Sequence, residues 1–446
     1  MTAPAATGLA RRLGVFDATM IVMGGIIGAG IFRNPAVVAQ YVSTPTLMLG
    51  AWAVGGLIAL TGAFVYAELA QRRPEVGGQY AYIRDAFHPM VAFLYGWGLL
   101  LVTQTGGMAA VAMTFADYLR ELTGMGVDRA VIAVVTLLIL TVINCFGARS
   151  GSNVQSALMV MKLVAILALI GFGLSALGVN PQSAVAESRE PRAESFSSAM
   201  VPVLFAFGGW QTASFVSGEM KNPERDLSRG LLFGVLGVVV LYLAVSFVSV
   251  AVLGPAALAQ TSTPASDVMR RALGDNGARL MAAGIAVSTV GFLSQGMLTA
   301  PRVYYAMARD GLFFKSVGSL NERSRAPVVA IALQGVWASV IVLFFGVYGP
   351  VLNYVVSLDA VFFGLTGAAL LVFRRRDPAA VKGMAMPGHP WTTGIFVLAF
   401  WTLAVSTIVQ FPKDAGMGVL LLLLGVPVYL YWKRRRVSDV SSSRTS

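Results

Sequence analysis

The chain has 446 residues, of which 56% are hydrophobic and 12% are charged, and its formal net charge is +12. Ordinary soluble domains carry about 25% charged residues, so this composition excludes an ordinary soluble domain. Apolar runs of roughly 20 residues, the length that crosses a bilayer, recur from end to end. The sequence therefore predicts an all-α protein that crosses the lipid bilayer many times.

Twelve apolar segments separated by turn residues predict twelve transmembrane helices. They cover residues 14–40, 47–71, 90–119, 128–146, 154–177, 198–217, 230–254, 278–306, 327–346, 350–373, 391–411 and 416–432. The tail before the first span lacks the apolar core of a cleavable signal, so we expect that span to be retained. A polar loop is expected at 179–198, and a short helical piece within 255–277.

Basic residues are distributed unevenly between the two sides of these spans. If the N-terminus lies inside, the arginines at 374–376 and the basic run at 433–436 fall on the cytoplasmic side with most other Lys and Arg residues. The positive-inside rule therefore predicts a protein of the plasma (inner) membrane with both termini cytoplasmic. The same rule accounts for the positive net charge, so we expect no nucleic acid partner.

Residues suited to catalysis or metal binding are few. The two histidines, His88 and His389, are far apart, and Cys145 is the single cysteine. We therefore expect no internal disulfide, no metal site and no cofactor. A membrane enzyme would need acid–base groups that converge at one depth, and the sequence does not predict such a group.

The first predicted span contains the stretch "GGIIGAGIF" at residues 24–32, with four glycines in nine positions. Glycine costs about 1 kcal/mol relative to alanine inside a helix, so this span is weakened near its midpoint. The sixth span, "VPVLFAFGGWQTASFVSGEM" at 201–220, has Gly208 and Gly209 near its centre. Glycine-interrupted helices in corresponding positions of two halves point to a transport site between inverted repeats.

A break in a helix exposes backbone groups that can bind a zwitterion. Free N–H groups attract an anion and free carbonyls attract a cation. A break at 28–30 therefore predicts a carboxylate site on the amides of Ala29, Gly30 and Ile31. Carbonyls near Ile26 and near 205–208 suit an ammonium group. Together they match the backbone of a free α-amino acid, although Gly24 and Gly28 also form a GxxxG pair that allows close helix packing.

Five segments of the chain carry a resemblance to a known family. They are "GGIIGAGIF" (24–32), "YAELAQRRPEVGGQYAYIRDAF" (66–87), "FAFGGW" (205–210), "GEMKNPERDLSRG" (218–230) and "APRVYYAMARDGLF" (300–313). In this order they resemble the amino acid–polyamine–organocation superfamily, and within it the L-type amino acid transporter branch. Ala29 stands where many relatives have serine, which removes one hydroxyl but keeps the backbone amide.

The resemblance implies the five-plus-five inverted-repeat fold of the sodium-coupled leucine transporter, with helices one and six discontinuous and two helices appended. The expected parts are a tail at 1–13, repeats at 14–178 and 198–373, two extra helices at 391–432 and a tail at 433–446. The amine contacts it implies are the carbonyls of Ile26, Phe205 and Gly208, with Phe205 also acting as an aromatic lid. The full set of implied substrate-binding positions is Ile26, Gly28, Ala29, Gly30, Ile31, Phe205, Ala206, Phe207, Gly208, Gly209 and Gln211.

Charged residues inside the predicted spans are functional candidates by default. Lys162 lies about eight residues into the fifth span, and the resemblance implies that its ammonium replaces the sodium ion of sodium-coupled relatives. There it would bridge the first break to the eighth helix, where Ser288 or Thr289 supplies oxygens. Sodium independence is the corresponding expectation. A proton-coupled lysine and a permanently charged one are both compatible with the sequence.

Three acidic residues complete the set of candidates. Asp359, some nine residues into the tenth span, is expected to tune specificity, carry a proton or bond to a neighbouring helix. Glu68 and Glu219 lie at helix ends, where structural pairing with Arg72 and Lys221 respectively is the favoured reading.

The function predicted from these features is sodium-independent transport of an amino acid substrate, neutral in side chain, by alternating access. The alternative is proton-coupled symport of cationic amino acids or polyamines, with protons as a second partner. A sensor that binds an amino acid without moving it is disfavoured because we see no large cytoplasmic domain.

Overall fold

A computed structural model describes residues 9, 11–178, 193–345, 348–379, 381, 383–410 and 412–442. Within these residues the secondary structure is helical, apart from an isolated bridge between Leu13 and Met220. The loop predicted at 179–198 lies mostly outside the described residues, as do the ends of the two predicted tails.

The first half of the described chain forms eight α-helices. They are α1 (Val15–Ile26), α2 (Gly30–Tyr41), α3 (Pro45–Arg72), α4 (Gln79–Ala86), α5 (Pro89–Gly98), α6 (Gln104–Thr123), α7 (Arg129–Cys145) and α8 (Ala148–Ser175). A π-helical turn, Leu99–Thr103, joins α5 to α6 within the third predicted span. Neither this turn nor the short helix α4 was predicted from the sequence.

The second half forms the remaining helices. They are α9 (Ala193–Phe207), α10 (Thr212–Phe215), α11 (Pro223–Leu253), α12 (Pro255–Gln260), α13 (Pro264–Thr299), α14 (Pro301–Arg309), α15 (Val328–Phe345), α16 (Tyr348–Arg376), α17 (Trp391–Gln410), α18 (Pro412–Leu423) and α19 (Gly425–Ser442). The helical piece predicted within 255–277 is present as α12, and α13 then begins earlier than its predicted span, with a kink at Gly274.

Nine helical segments of the described chain are long and apolar enough to cross a membrane. They fall in nine of the twelve predicted spans. The fourth and ninth spans contain the shorter apolar helices α7 and α15, and the sixth is divided into α9 and α10. The chain is therefore a multi-pass helical membrane protein, whereas the count of twelve spans remains a prediction.

The two interrupted segments lie among the most buried helices. Helix α1 packs against α11, α8 and α13, and α2 packs against α9. Trp52, Phe207 and Tyr242 form an aromatic cluster beside them, with ring centroids 5.1 to 5.8 Å apart. Because these large rings are fully buried, they fix the helices on either side of the breaks.

The predicted cytoplasmic end of the bundle is held by ion pairs. Glu68 is fully buried and bonds to Arg72 at 2.9 Å, as predicted, and also to Arg374 at 2.6 Å. The partner predicted for Glu219 was wrong: its carboxylate bonds to Arg302 at 2.6 Å rather than to Lys221. Lys221 instead donates its backbone N–H to the carbonyl of Leu13.

Helix α4 is clamped at the same end by Arg84. Its guanidinium bonds to Glu75, Asp85 and Asp310 at 2.7 to 2.8 Å. Burial by itself would lower the pKa of Arg84, but these carboxylates raise the pKa above its ordinary value. The charge that anchors α4 is therefore present at every physiological pH.

Candidate functional site

The first break falls between α1 and α2. Helix α1 ends at Ile26, the backbone at Ile27 is extended, and α2 begins at Gly30. The interruption was predicted at 28–30 and is found at 27–29, one residue earlier. The amides of Gly30 and Ile31 open a new helix, so they have no acceptor within it.

The second break falls between α9 and α10. Helix α9 ends at Phe207 and α10 begins at Thr212. Gly209 has φ +112°, a conformation that side-chain-bearing residues rarely adopt. The side-chain oxygen of Gln211 accepts the N–H of Gly209 at 3.0 Å, so the predicted pocket residue Gln211 spans this break.

The two breaks are in direct backbone contact. A Cβ atom on Gly209 would lie 2.1 Å from the carbonyl oxygen of Gly25, and one on Gly25 would lie 2.7 Å from the carbonyl oxygen of Gly209. Only glycine permits this approach, since real Cβ contacts are never so short. Gly25, near the end of α1, and Gly209, in the second break, therefore allow the two interrupted segments to meet.

The other glycines of the first motif face different neighbours. A Cβ on Gly24 would lie 1.8 Å from the amide nitrogen of Gln155 on α8, and one on Gly28 would lie 3.1 Å from the ring of Phe292 on α13. Gly24 lies in α1, whereas Gly28 lies in the break itself. The GxxxG pair consequently does not form one helix-packing face, as the alternative reading required.

The start of α2 lies against the end of α9. The Cβ position of Gly30 is 3.4 Å from the Cα atom of Ala206, and the side-chain amide of Asn34 donates to the carbonyl of Pro202 at 2.7 Å. Ala206 and Phe207 are buried, and Phe205 is half-buried. The structure thus brings together the predicted site residues from both breaks.

Two of the three carbonyls predicted to bind an ammonium group accept a hydrogen bond already. Ile26 accepts from the hydroxyl of Tyr242 at 3.0 Å, and Phe205 accepts from the N–H of Gly208 at 3.1 Å. A carbonyl oxygen has two lone pairs, so a second donor can be accommodated. Tyr242 was not predicted, because a tyrosine in an apolar helix gives no sign of what its hydroxyl bonds.

Lys162 connects α8 to the end of α1. Its side chain is fully buried, and its Nζ atom lies 2.5 Å from the carbonyl oxygen of Ile27 and 3.3 Å from that of Gly24. These carbonyls are the negative end of the α1 dipole, where a cation is stabilised. The ammonium therefore lies at the first break.

The two predicted hydroxyls of α13 differ in what they contact. Ser288 donates to the carbonyl of Gly28 at 3.3 Å, whereas Thr289 donates to Ala286 within its own helix at 2.7 Å. Ser288 thus reaches the break together with Lys162. The hydroxyl of Thr289 is used inside α13.

The sequence did not predict the buried polar side chains beside Gly24 and Gly25, which are Gln155, Thr212 and Gln295. The amide nitrogen of Gln295 donates to the hydroxyl of Thr212 at 2.5 Å, and the fully buried amide of Gln155 has no hydrogen-bond partner among the described residues. Their positions on apolar helices gave no signal that they converge on α1.

A cavity of about 450 Å³ lies beside the first residues of α1 and α8, at the predicted cytoplasmic end. Its lining residues are Arg11, Arg12, Leu13, Asp17, Ser152, Asn153 and Lys221. Asp17, its lining residue nearest the first break, is about three helical turns from Ile27 along α1, so this cavity is separate from the breaks.

A multi-pass helical membrane protein in which two interrupted helices meet, with helix-start amides and helix-end carbonyls at the meeting point, has the architecture of a secondary transporter. Residues 13–424 match the family model described as "Amino acid permease". The chain belongs to this family of the amino acid–polyamine–organocation superfamily, as the motifs indicated, and it is a transporter rather than an enzyme.

Known proteins that are similar to this chain over nearly all of its length are amino acid transporters or exchangers. The serine/threonine exchanger SteT of Bacillus subtilis is 29% identical over 437 residues, which cover 97% of this chain and 99% of SteT. Human large neutral amino acids transporter small subunit 2 is 28% identical, covering 96% of this chain and 82% of its own length. Human Asc-type amino acid transporter 1 is 26% identical, covering 96% and 84% respectively.

Proposed function

We propose that this protein is a sodium-independent exchanger that moves neutral L-amino acids across the cell membrane by alternating access. The observation that carries the proposal is the backbone contact between Gly25 and Gly209, which brings the second break, at the end of α9, beside the carbonyl end of α1 and the amide end of α2. Helix-start amides, and carbonyls that have a second lone pair, match the carboxylate and ammonium of an amino acid when they meet at one point.

The substrate carboxylate binds the amides of Ala29, Gly30 and Ile31, and its ammonium binds the carbonyls of Ile26, Phe205 and Gly208. Phe205, which is half-buried, closes over the substrate as a lid. The remaining wall consists of Gly28, Ala206, Phe207, Gly209 and Gln211. The half-helices on either side of the two breaks move against the other helices around this site. They belong to the repeats at 14–178 and 198–373, and both termini lie inside.

Sodium independence follows from Lys162. A lysine ammonium that contacts the carbonyls of Gly24 and Ile27 supplies the positive charge that a bound cation would otherwise supply at the end of α1. Beside it, the hydroxyl of Ser288 donates to the carbonyl of Gly28. Exchange is supported by the similarity to SteT, a serine/threonine exchanger. A neutral substrate is supported by the similarity to SteT and to human large neutral amino acids transporter small subunit 2.

The second candidate is proton-coupled symport of cationic amino acids or polyamines. Asp359 favours it, because a carboxylate inside a membrane helix suits a cationic side chain or a proton. Either candidate uses the same backbone site, so one experiment separates them.

The experiment measures counterflow of radiolabelled amino acids into proteoliposomes that contain the purified protein. We expect uptake of a neutral amino acid only when an amino acid is trapped inside, with the same rate in sodium, potassium or choline buffer at pH 6 and pH 8. Uptake into empty vesicles that rises with an inward proton gradient would select the symport candidate. A lack of uptake of any common amino acid or polyamine would reject both.

A further inference from the structure

The cavity beside the first residues of α1 lies where three membrane spans begin. The candidate spans Val15–Tyr41, Gly151–Ser175 and Pro223–Leu253 each start at or beside residues that line it. The ends of membrane spans lie at the depth of the lipid headgroups, which flank the hydrocarbon core. The cavity volume of about 450 Å³ is within the range of small-molecule sites. A small ligand at the membrane surface therefore fits here.

Three cationic side chains that line the cavity have no carboxylate partner among the described residues. They belong to Arg11, Arg12 and Lys221, all of which are exposed. The ion pairs found in the described part of the chain all use other arginines. Residues 1–10 contain no Asp or Glu, so the segment directly before these arginines supplies no carboxylate either. The three positive charges are therefore available to a ligand.

One carboxylate in the lining, that of Asp17, is already bonded by the chain. It accepts the backbone N–H of Gly14 at 2.9 Å and the hydroxyl of Ser152 at 3.4 Å, which joins the start of α1 to α8. Asp17 offsets at most one of the three positive charges, so the lining keeps a net positive charge. A cleft lined by charge of one sign concentrates ligands of the opposite sign, so we expect an anion here.

Backbone hydrogen bonds hold Arg12 and Lys221 side by side. The N–H of Arg12 donates to the carbonyl of Glu219 at 2.8 Å. The N–H of Lys221 donates to the carbonyl of Leu13, also at 2.8 Å. The buried pair between Glu219 and Arg302 fixes the same segment. The backbone of both cationic residues is therefore in place before a ligand binds, which lowers the entropic cost of binding.

We propose that this cavity binds a phosphate group, either in the headgroup of an anionic phospholipid or as a soluble phosphate. Guanidinium groups bind phosphate through paired hydrogen bonds, and a lysine ammonium adds a compact positive charge. Basic pockets between membrane helices near the cytoplasmic surface bind acidic lipid headgroups. A phosphate held here connects the segment before α1 with α8 and with the segment before α11. The proposal does not depend on which substrate is transported.

The test titrates the purified protein in a neutral detergent and measures its melting temperature, since a ligand that binds the folded state raises it. The probes are short-chain phosphatidylglycerol, the matching phosphatidylcholine and inorganic phosphate, with sodium chloride of equal ionic strength as the reference. We expect a saturable rise with phosphatidylglycerol, with inorganic phosphate or with both, and none with chloride. Saturation by phosphatidylglycerol at a clearly lower concentration than inorganic phosphate identifies a lipid headgroup. The reverse order, or equal concentrations, identifies a soluble phosphate.

The triple variant Arg11→Gln/Arg12→Gln/Lys221→Gln removes the three charges and keeps the backbone hydrogen bonds. We expect the half-saturating concentration of the probe to rise about tenfold or more, the effect of losing one hydrogen bond to a charged group.

The matched control removes three exposed arginines at the predicted cytoplasmic end that do not line the cavity. It is the triple variant Arg229→Gln/Arg323→Gln/Arg375→Gln. Its net charge equals that of the first triple variant, so a general attraction of anions to a cationic protein weakens equally in both. We expect the control to bind the probe like the wild type.

A wild-type protein whose melting temperature rises with neither phosphatidylglycerol nor inorganic phosphate overturns the proposal. So does an equal loss of affinity in the two triple variants, and so does an equal response to phosphatidylglycerol and phosphatidylcholine without a response to inorganic phosphate. If the first triple variant fails to fold, Arg12→Gln is compared with Arg375→Gln in the same titration. Because transport is not measured in this test, a negative result leaves the proposed function intact.

Discussion

Gly209 in the second break approaches Gly25 of α1 so closely that a Cβ atom on Gly209 would lie 2.1 Å from the Gly25 carbonyl oxygen. The obstacle is backbone, which cannot rotate away as a side chain can. The φ of +112° at Gly209 adds strain for any other residue.

We therefore expect Gly209→Ala to separate the two breaks and to abolish exchange in proteoliposomes, with a lower melting temperature in detergent. The matched control is Gly107→Ala, because Gly107 lies inside α6 with no atom within 4 Å of its Cβ position. That substitution should leave exchange unchanged and stabilise the helix by up to about 1 kcal/mol. Wild-type exchange by Gly209→Ala would mean that the contact is dispensable.

Lys162 is expected to be essential for exchange. In Lys162→Met the carbonyls of Gly24 and Ile27 lose their charged donor. Hydrogen bonds to charged groups contribute roughly 1.5–3 kcal/mol, so we expect the exchange rate to fall about 10- to 100-fold. Lys413→Met, at an exposed lysine, should leave the rate unchanged.

A second variant tests the position of the ammonium rather than its presence. A Cβ on Gly291 of α13 would lie 2.5 Å from the Cε atom of Lys162, so Gly291→Ala displaces the lysine side chain. We expect it to reduce exchange while the charge remains. If Lys162→Met exchanges at the wild-type rate, the lysine has no part in transport.

The sequence could predict the helix breaks because glycine density inside an apolar run is a local signal. Residues 24–32 and 205–210 carry that signal in their own composition, and both breaks are found there within a residue or two. The contact between Gly25 and Gly209 carries no local signal, since it depends on how α1 packs against the second break and α10. The membrane class followed from composition alone.

Partners of charged side chains could not be predicted in the same way. Glu219 has Lys221 two residues away in the sequence, yet its carboxylate bonds to Arg302, which helix packing brings to it. Arg72 could be predicted as a partner of Glu68 because residues four apart lie on one helix face. The second partner, Arg374, could not be predicted, since helix packing brings it to Glu68.

Gln155 and Gln79 should respond in opposite ways to the same substitution. Both are buried, but Gln79 accepts from the hydroxyl of Tyr95 at 3.1 Å and donates to the carbonyl of Phe362 at 3.2 Å. The amide of Gln155 has no partner among the described residues. An unpaired buried amide costs about 1–3 kcal/mol, and a paired one leaves its partners unsatisfied when it is removed.

We therefore expect Gln155→Met to raise the melting temperature and Gln79→Met to lower it. Each substitution should change the free energy of unfolding by about 1 kcal/mol or more. Differential scanning fluorimetry in detergent measures both. A lower melting temperature for Gln155→Met would mean that a bound water or another group satisfies this amide.

The Glu219–Arg302 pair is expected to be the most costly ion pair to break. Both side chains are almost fully buried, with 2% and 1% of their surface exposed, and the nitrogen–oxygen distance is 2.6 Å. The backbone carbonyl of Glu219 also accepts the N–H groups of Arg12 and Leu13, which precede α1. The pair thus anchors the segment that leads into α1.

Arg302→Met leaves the Glu219 carboxylate buried without a cation, which typically costs about 3–5 kcal/mol. We expect a large loss of folded protein from this variant and recovery of most of it in the double variant Glu219→Gln/Arg302→Met, because neither charge then remains buried. Arg270→Met is the control, since Arg270 is half-exposed in its pairs with Asp267 and Asp275 and exposed pairs contribute about 1 kcal/mol or less. A double variant no more stable than Arg302→Met alone would mean that the cost comes from lost packing of the arginine and not from the unpaired charge.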